Sequence, residues 1–128
     1  MITIEGRVIS GVGEGAYYVE KYSRLLEEVL GEPPYPGTLN VELNACFYDL
    51  VKGVGVPPLV IKPDQEGLGV VYVYTGKVNG VKVLVLKPAI TRHKCEIVEL
   101  VSSKHLRREL ELRDGDVVKI TIEVSTRP

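Results

Sequence analysis

Four segments of this 128-residue chain carry residue types whose spacing could do chemistry. The first is Ser10-Gly11-Val12-Gly13-Glu14-Gly15-Ala16, three glycines at alternate positions after an alternating apolar run. Glycine lets backbone N–H groups approach an anion closely, and successive N–H groups form a concave anion site. No Lys-Ser or Lys-Thr follows, so this is not the phosphate loop of GxxxxGK type, and Ala16-Tyr17-Tyr18 departs from GxGxxG. A tight turn entering a helix accounts for the same glycines. The second segment is Pro34-Tyr35-Pro36-Gly37-Thr38-Leu39-Asn40. Two prolines and a glycine fix a turn that enters a strand, where Thr38 and Asn40 share a face because the side-chain period is two. A hydroxyl and an amide oxygen on one face are neutral hard ligands, suited to a Mg²⁺ ion that keeps waters and binds phosphate oxygens. A hydrogen-bonded pair tying down the turn is the alternative.

The third segment is Lys87-Pro88-Ala89-Ile90-Thr91-Arg92-His93-Lys94, a basic cluster that could face phosphate or simply be solvated. Downstream of it Glu99 stands in an otherwise apolar run, either as an outward surface residue or as an acceptor aimed into a pocket. The fourth is Ser103-Lys104-His105-Leu106-Arg107, a helix start with two cations, where free N–H groups favour anions. No GxSxG elbow or other local frame assembles a nucleophilic triad. Cys46 and Cys95 lie far apart with no second cysteine near either, so no zinc spacing can be built. Both are expected to be buried, reduced, small apolar side chains.

The elements that must position these groups are mostly strands. Residues 2–8 and 38–43 alternate apolar and polar residues, the period of a half-buried strand. Runs at 59–61, 70–75, 81–86 and 96–101 are rich in Val, Ile, Leu and Tyr, and Val118, Ile120, Ile122 and Val124 alternate in a last strand. Asn79-Gly80 predicts a type I′ hairpin between two of these runs. Tyr22, Leu25, Leu26, Val29 and Leu30 mark one face of an amphipathic helix that Gly31 would end. Ser102 or Ser103 is expected to cap a short helix carrying Leu106 and Leu110. Six or more short strands with two helices predict a mainly β fold, a compact barrel decorated by short helices.

Composition bounds the rest. The chain is 45% hydrophobic and 26% charged, ordinary globular usage, and its length predicts a single domain over residues 1–128. Sixteen basic and 17 acidic residues leave a net charge of −1, so a broad electrostatic footprint for nucleic acid is missing. The N-terminal residues lack a basic region followed by an apolar run, and no apolar stretch approaches the roughly 20 residues that span a bilayer. A cytoplasmic protein without membrane partners is expected; oligomeric state is not legible.

Taken in order, Ser10-Gly11-Val12-Gly13-Glu14-Gly15-Ala16-Tyr17-Tyr18, then Pro34-Tyr35-Pro36-Gly37-Thr38-Leu39-Asn40-Val41, then Thr91-Arg92-His93 with Glu99, then Leu106-Arg107 and Leu112-Arg113-Asp114-Gly115-Asp116 resemble the archaeal CTP-dependent riboflavin kinases. The resemblance runs from about Ile4 to Val124 and is most specific in the PYPGTLN block. It implies a six-stranded cradle-loop β-barrel, and transfer of the γ-phosphoryl of CTP to the 5′-hydroxyl of riboflavin to give FMN and CDP. Carried over by position, it implies nucleotide binding by Gly11, Val12, Gly13, Glu14, Gly15 and Ala16 and by Lys104, His105, Leu106 and Arg107. Thr38 and Asn40 would ligate Mg²⁺, and Thr91 and Glu99 would contact the flavin. Glu99 is the candidate for orienting the hydroxyl or removing its proton. Some members carry an N-terminal helix-turn-helix domain, which is not expected here. The alternatives are a flavin- or nucleotide-binding module without catalysis, and a swapped-hairpin DNA-binding barrel suggested by residues 112–120 alone.

Overall fold

Alternating burial writes the first strand directly: Ile4, Gly6 and Val8 are buried while Thr3, Glu5 and Arg7 face out. The computed structural model describes residues 2–11, 15–51, 59–62, 69–88 and 94–123. Within them the strands are β1 (Ile2–Ile9), β2 (Leu39–Leu43), β3 (Leu59–Ile61), β4 (Val71–Val78), β5 (Val81–Pro88), β6 (Ile97–Val101) and β7 (Val117–Ile122). The helices are α1 (Gly15–Lys21), α2 (Ser23–Leu30), α3 (Phe47–Val51) and α4 (Leu106–Glu109).

Six strands in the order β4-β5-β6-β2-β1-β7 form an antiparallel sheet that closes on itself through β4 and β7, with β3 attached to the first half of β4. This is the six-stranded barrel expected of the sequence. Closure occurs where Gly76 pairs with Ile122. A β-carbon on Gly76 would lie 2.5 Å from the Thr121 carbonyl oxygen, so only glycine lets the two backbones meet. The Asn79-Gly80 turn between β4 and β5 has φ of 49° and 80°, the positive values a type I′ hairpin requires.

Two apolar layers follow from this closure. Val41, Val83, Val85, Val98, Leu100 and Ile120 are among the side chains filling the barrel interior. The intervening residues Leu84, Leu86 and Val101 point outward and pack with Val71, Val73 and the helical residues Val19, Tyr22, Leu26 and Leu30. Strand β5 is therefore buried on both faces from Val83 to Pro88.

The structure departs from the sequence expectations at four places. The predicted stripe forms α2, but a separate helix α1 precedes it, and the chain turns between the two at Tyr22, whose ring is buried and whose hydroxyl donates to the Gly69 carbonyl (2.7 Å). Helix α3 has no counterpart in the predicted elements. Neither Ser102 nor Ser103 caps α4, because their hydroxyls bond Lys82 O (2.9 Å) and Glu32 Oε2 (2.7 Å); His105 stands at the cap instead. Cys46 and Cys95 are not buried reduced thiols. They form a disulfide with Cα atoms 4.8 Å apart, Cys95 being exposed, because the antiparallel β2–β6 ladder that pairs Glu42 with Ile97 carries the two chain ends to each other.

Candidate active site

Thr38 immediately precedes β2 and Asn40 lies within it, two residues on, as the period of an extended chain requires. The β2–β6 register sets Asn40 directly opposite Glu99, and the β5–β6 register sets Leu86 opposite Glu99 on the other side. Because Leu86 belongs to the outer apolar layer, Asn40 and Glu99 lie on the outer surface of the barrel wall. Both are nonetheless buried, at 6% and 2% exposure, so Glu99 is not an exposed surface charge. Thr38 Oγ1 and Asn40 Oδ1 are buried without a hydrogen-bond partner among the described residues. Leaving a buried polar oxygen unsatisfied costs about 1–3 kcal/mol, so two such atoms side by side mark a place built for a ligand that accepts oxygen donors. Their chemistry fits a hard divalent cation. Among the described residues no group of three His, Cys, Asp or Glu side chains could hold a metal by itself, so the remaining ligands must come from substrate and water.

Gly11 is the residue that touches this pair. A β-carbon there would lie 2.3 Å from Asn40 Nδ2, so the glycine segment is pressed against the carboxamide and its first residue must lack a side chain. Gly15 opens α1, and Ala16 is exposed on its first turn, so the segment does lead into a helix. Val12, Gly13, Glu14 and Thr91 lie outside the described residues, as do Arg92 and His93.

Beside Thr38 is a pocket of about 170 Å³ whose wall includes Tyr35, Lys104, His105, Leu106 and Arg107. The sequence left Tyr35 without a role. In the structure its ring stacks on His105, centroids 4.5 Å apart and planes within 6°, and its N–H donates to the Ser102 carbonyl at 2.8 Å. The PYPGTLN turn is thereby fastened to the 102–107 segment from both backbone and side chain. Within the 102–107 segment, Lys104 N–H donates to Ser102 Oγ at 3.2 Å. The anion preference expected of a helix start does not carry over, because α4 is a single turn of four residues. What the segment offers at the pocket rim is two cationic side chains, Lys104 and Arg107.

Lys87 is also relocated. It is 3% exposed and donates to the Ile97 carbonyl at 2.8 Å, with its ammonium 5.6 Å over the Tyr48 ring. It is buried against its own fold and not solvated. Burial lowers its pKa below the usual lysine value, while the Glu99 and Glu96 carboxylates pull in the other direction. No spacing in the sequence signalled this, since burial of a lysine is decided by what covers it. Tyr48 and Tyr74 are raised by burial first and by neighbouring tyrosines second.

A family model described as the CTP-dependent riboflavin kinase domain, DUF120, a domain of unknown function, matches residues 8–122. A riboflavin kinase of Staphylothermus marinus is 41% identical over 121 residues, covering 94% of this chain and 92% of the relative. That of Pyrobaculum arsenaticum is 42% identical over 127 residues, covering 94% of this chain and 60% of the relative. That of Thermococcus kodakarensis is 38% identical over 122 residues, covering 93% and 58%. The chain thus spans nearly all of the first relative and about 60% of the other two.

Proposed function

The chain belongs to the CTP-dependent riboflavin kinase family and is a kinase of riboflavin, and from that premise we propose how its own residues carry the transfer and which of them bind each substrate. In the reaction the 5′-hydroxyl oxygen of riboflavin bonds to the γ-phosphorus of CTP, and the bond from that phosphorus to the β–γ bridging oxygen breaks. FMN, CDP and the hydroxyl proton are the products. Phosphoryl transfer of this kind passes through a loose transition state, so alignment and charge compensation do most of the catalysis.

Our reading assigns the pocket beside Thr38 to the nucleotide. Lys104 and Arg107 supply positive charge at its rim, and the backbone of residues 104–107 presents both donors and acceptors to the edge of a cytosine. Gly11 to Ala16 are assigned to the same nucleotide as phosphate-binding residues, because glycine N–H groups can approach an anion closely. Thr38 Oγ1 and Asn40 Oδ1 would hold Mg²⁺, whose charge would offset that of the phosphate oxygens. Glu99, opposite Asn40, accepts a hydrogen bond from the riboflavin hydroxyl or a ribityl hydroxyl and so orients it, with Thr91 as a second flavin contact. Residues 1–128 act as one kinase unit, with no nucleic-acid or membrane partner, in the cytoplasm. No helix among the described residues is long and apolar enough to cross a membrane.

The observation that carries the site reading is the pair of buried, unbonded oxygens on Thr38 and Asn40, set between the glycine segment and the pocket. The direct test incubates the protein with riboflavin and Mg²⁺ and offers CTP, ATP, GTP or UTP in turn, following FMN. FMN with CTP alone is the expected result; none with any nucleotide, from folded protein, would overturn the reading. For Glu99, the substitution Glu99→Gln is expected to raise KM for riboflavin with kcat nearly kept. A fall in kcat at saturation of about 100-fold or more would instead assign it the proton-removing role.

A further inference from the structure

The Leu112-Arg113-Asp114-Gly115-Asp116 block has no part in the site described so far, yet it is tied to both walls of the pocket region. The turn is fixed to β1 by Gly115 N–H to Val8 O (2.7 Å) and Val8 N–H to Asp116 O (2.8 Å). It is fixed to the nucleotide segment by Leu112 N–H to Arg107 O (2.8 Å). Internally, Arg113 N–H donates to Asp116 Oδ2 at 2.8 Å, and Gly115 takes a φ of 93°. Held on this rigid turn, the Asp114 carboxylate uses both oxygens. Oδ2 accepts from the Ser10 hydroxyl, and Oδ1 accepts from Arg107 Nη2 at 2.7 Å, the same nitrogen that donates to Ile9 O at 3.2 Å.

The two partners of Asp114 are not arbitrary. Ser10 is the residue before Gly11, whose backbone abuts the Asn40 carboxamide. Arg107 lines the pocket. One carboxylate therefore sets the start of the glycine segment and the orientation of the pocket guanidinium together. The pair is open to solvent, with Arg107 and Asp114 side chains 36% and 54% exposed. Exposed ion pairs add little to folding, so its consequence is expected in positioning instead. Its bonds to Ser10 and Arg107 also keep the Asp114 pKa below the ordinary aspartate value, so the bridge stays charged at neutral pH.

We propose that Asp114 is a positioning residue for the nucleotide, acting through Arg107 and Ser10 to fix the two sides of the phosphate-binding region relative to each other. The inference rests on the assignment of this pocket to CTP. An arginine without its bridge must be ordered anew at each binding event, and displacement of a binding group by about 1 Å can cost on the order of 100-fold.

The test uses Asp114→Asn, nearly the same in shape, with Ser10→Ala and Arg107→Ala alone and Arg107→Ala combined with Asp114→Asn. Initial rates are measured with CTP varied at saturating riboflavin and with riboflavin varied at saturating CTP, beside thermal melts. Asp114→Asn is expected to raise KM for CTP roughly 10- to 100-fold, to change KM for riboflavin by less than about twofold, and to leave the melting temperature nearly unaltered. Ser10→Ala should give part of that rise, and Asp114→Asn should add little once Arg107 is gone. Equal changes in both KM values with a lowered melting temperature would mean a purely structural turn and would overturn the proposal. So would an unchanged KM for CTP. If the wild-type protein makes no FMN from CTP, it is the pocket assignment that fails, a result separate from either of these.

Discussion

Gly11→Ala should disable the enzyme while leaving its fold intact. The added methyl would sit 2.3 Å from Asn40 Nδ2 and 3.2 Å from Asn40 Cγ. The backbone at Gly11 is not in the left-handed region, so alanine meets no conformational penalty there and the contact alone decides the outcome. To reach an ordinary van der Waals separation, the carboxamide must retreat by about 1 Å. It cannot rotate away freely, because Asn40 is buried at 6% exposure within the β2 ladder. On the proposed assignment of Asn40 Oδ1 to Mg²⁺, which demands near-octahedral geometry with oxygens at about 2.0–2.1 Å, a retreat of that size would remove the ligand. The expected loss is on the order of 100-fold in kcat/KM, or about 2.7 kcal/mol of transition-state stabilisation, with a raised Mg²⁺ requirement. Overpacking should cost about 1–3 kcal/mol of stability, which the folded protein survives. The assay is FMN formation against Mg²⁺ concentration for the wild type, Gly11→Ala, Asn40→Ala and the double variant. If the clash acts through Asn40, the double variant is no worse than Asn40→Ala alone. Wild-type turnover and metal dependence in Gly11→Ala would refute the reasoning, as would full additivity of the two changes.

Other expectations follow from single contacts. Thr38→Val replaces a buried hydroxyl that lacks a partner, so the ligand-free protein should melt at the same temperature or higher while FMN formation falls sharply; a clearly lower melting temperature would contradict this. Reduction of Cys46–Cys95, which closes a 49-residue separation, should lower stability by up to about 4 kcal/mol, seen as a lower denaturant midpoint with dithiothreitol. An unchanged midpoint would argue against the bridge. Lys87 has a lowered folded-state pKa, so the unfolded chain binds more protons in the window between that value and 10.5. Its contribution therefore makes stability rise with pH through that window. The difference between wild-type and Lys87→Met stability curves should show this rise, whereas a flat difference would place Lys87 in solvent.

The barrel was legible because period-two burial is local information. Residues 2–8, 38–43 and 118–122 alternate, and Asn79-Gly80 declares its own turn, so the strands and one hairpin could be read from adjacent residues. The helical stripe from Tyr22 to Leu30 was legible for the same reason. The turn that separates it from α1 at Tyr22 was not, because the Tyr22 hydroxyl bonds Gly69, distant in sequence.

For the candidate site, the chain by itself fixed residue types and spacing. Thr38 and Asn40 share a face wherever that stretch is extended, and the glycines at 11, 13 and 15 are read from their types and spacing alone. What only the tertiary structure decided is which groups meet. The β2–β6 register puts Glu99 opposite Asn40 and joins Cys46 to Cys95, and the β1–β7 pairing brings Asp114 to Ser10. Burial of Lys87 likewise depends on strands that come from elsewhere in the chain. Side-chain period is set by neighbours along the backbone, whereas register, closure and burial are set by residues tens of positions away, and no local pattern records them.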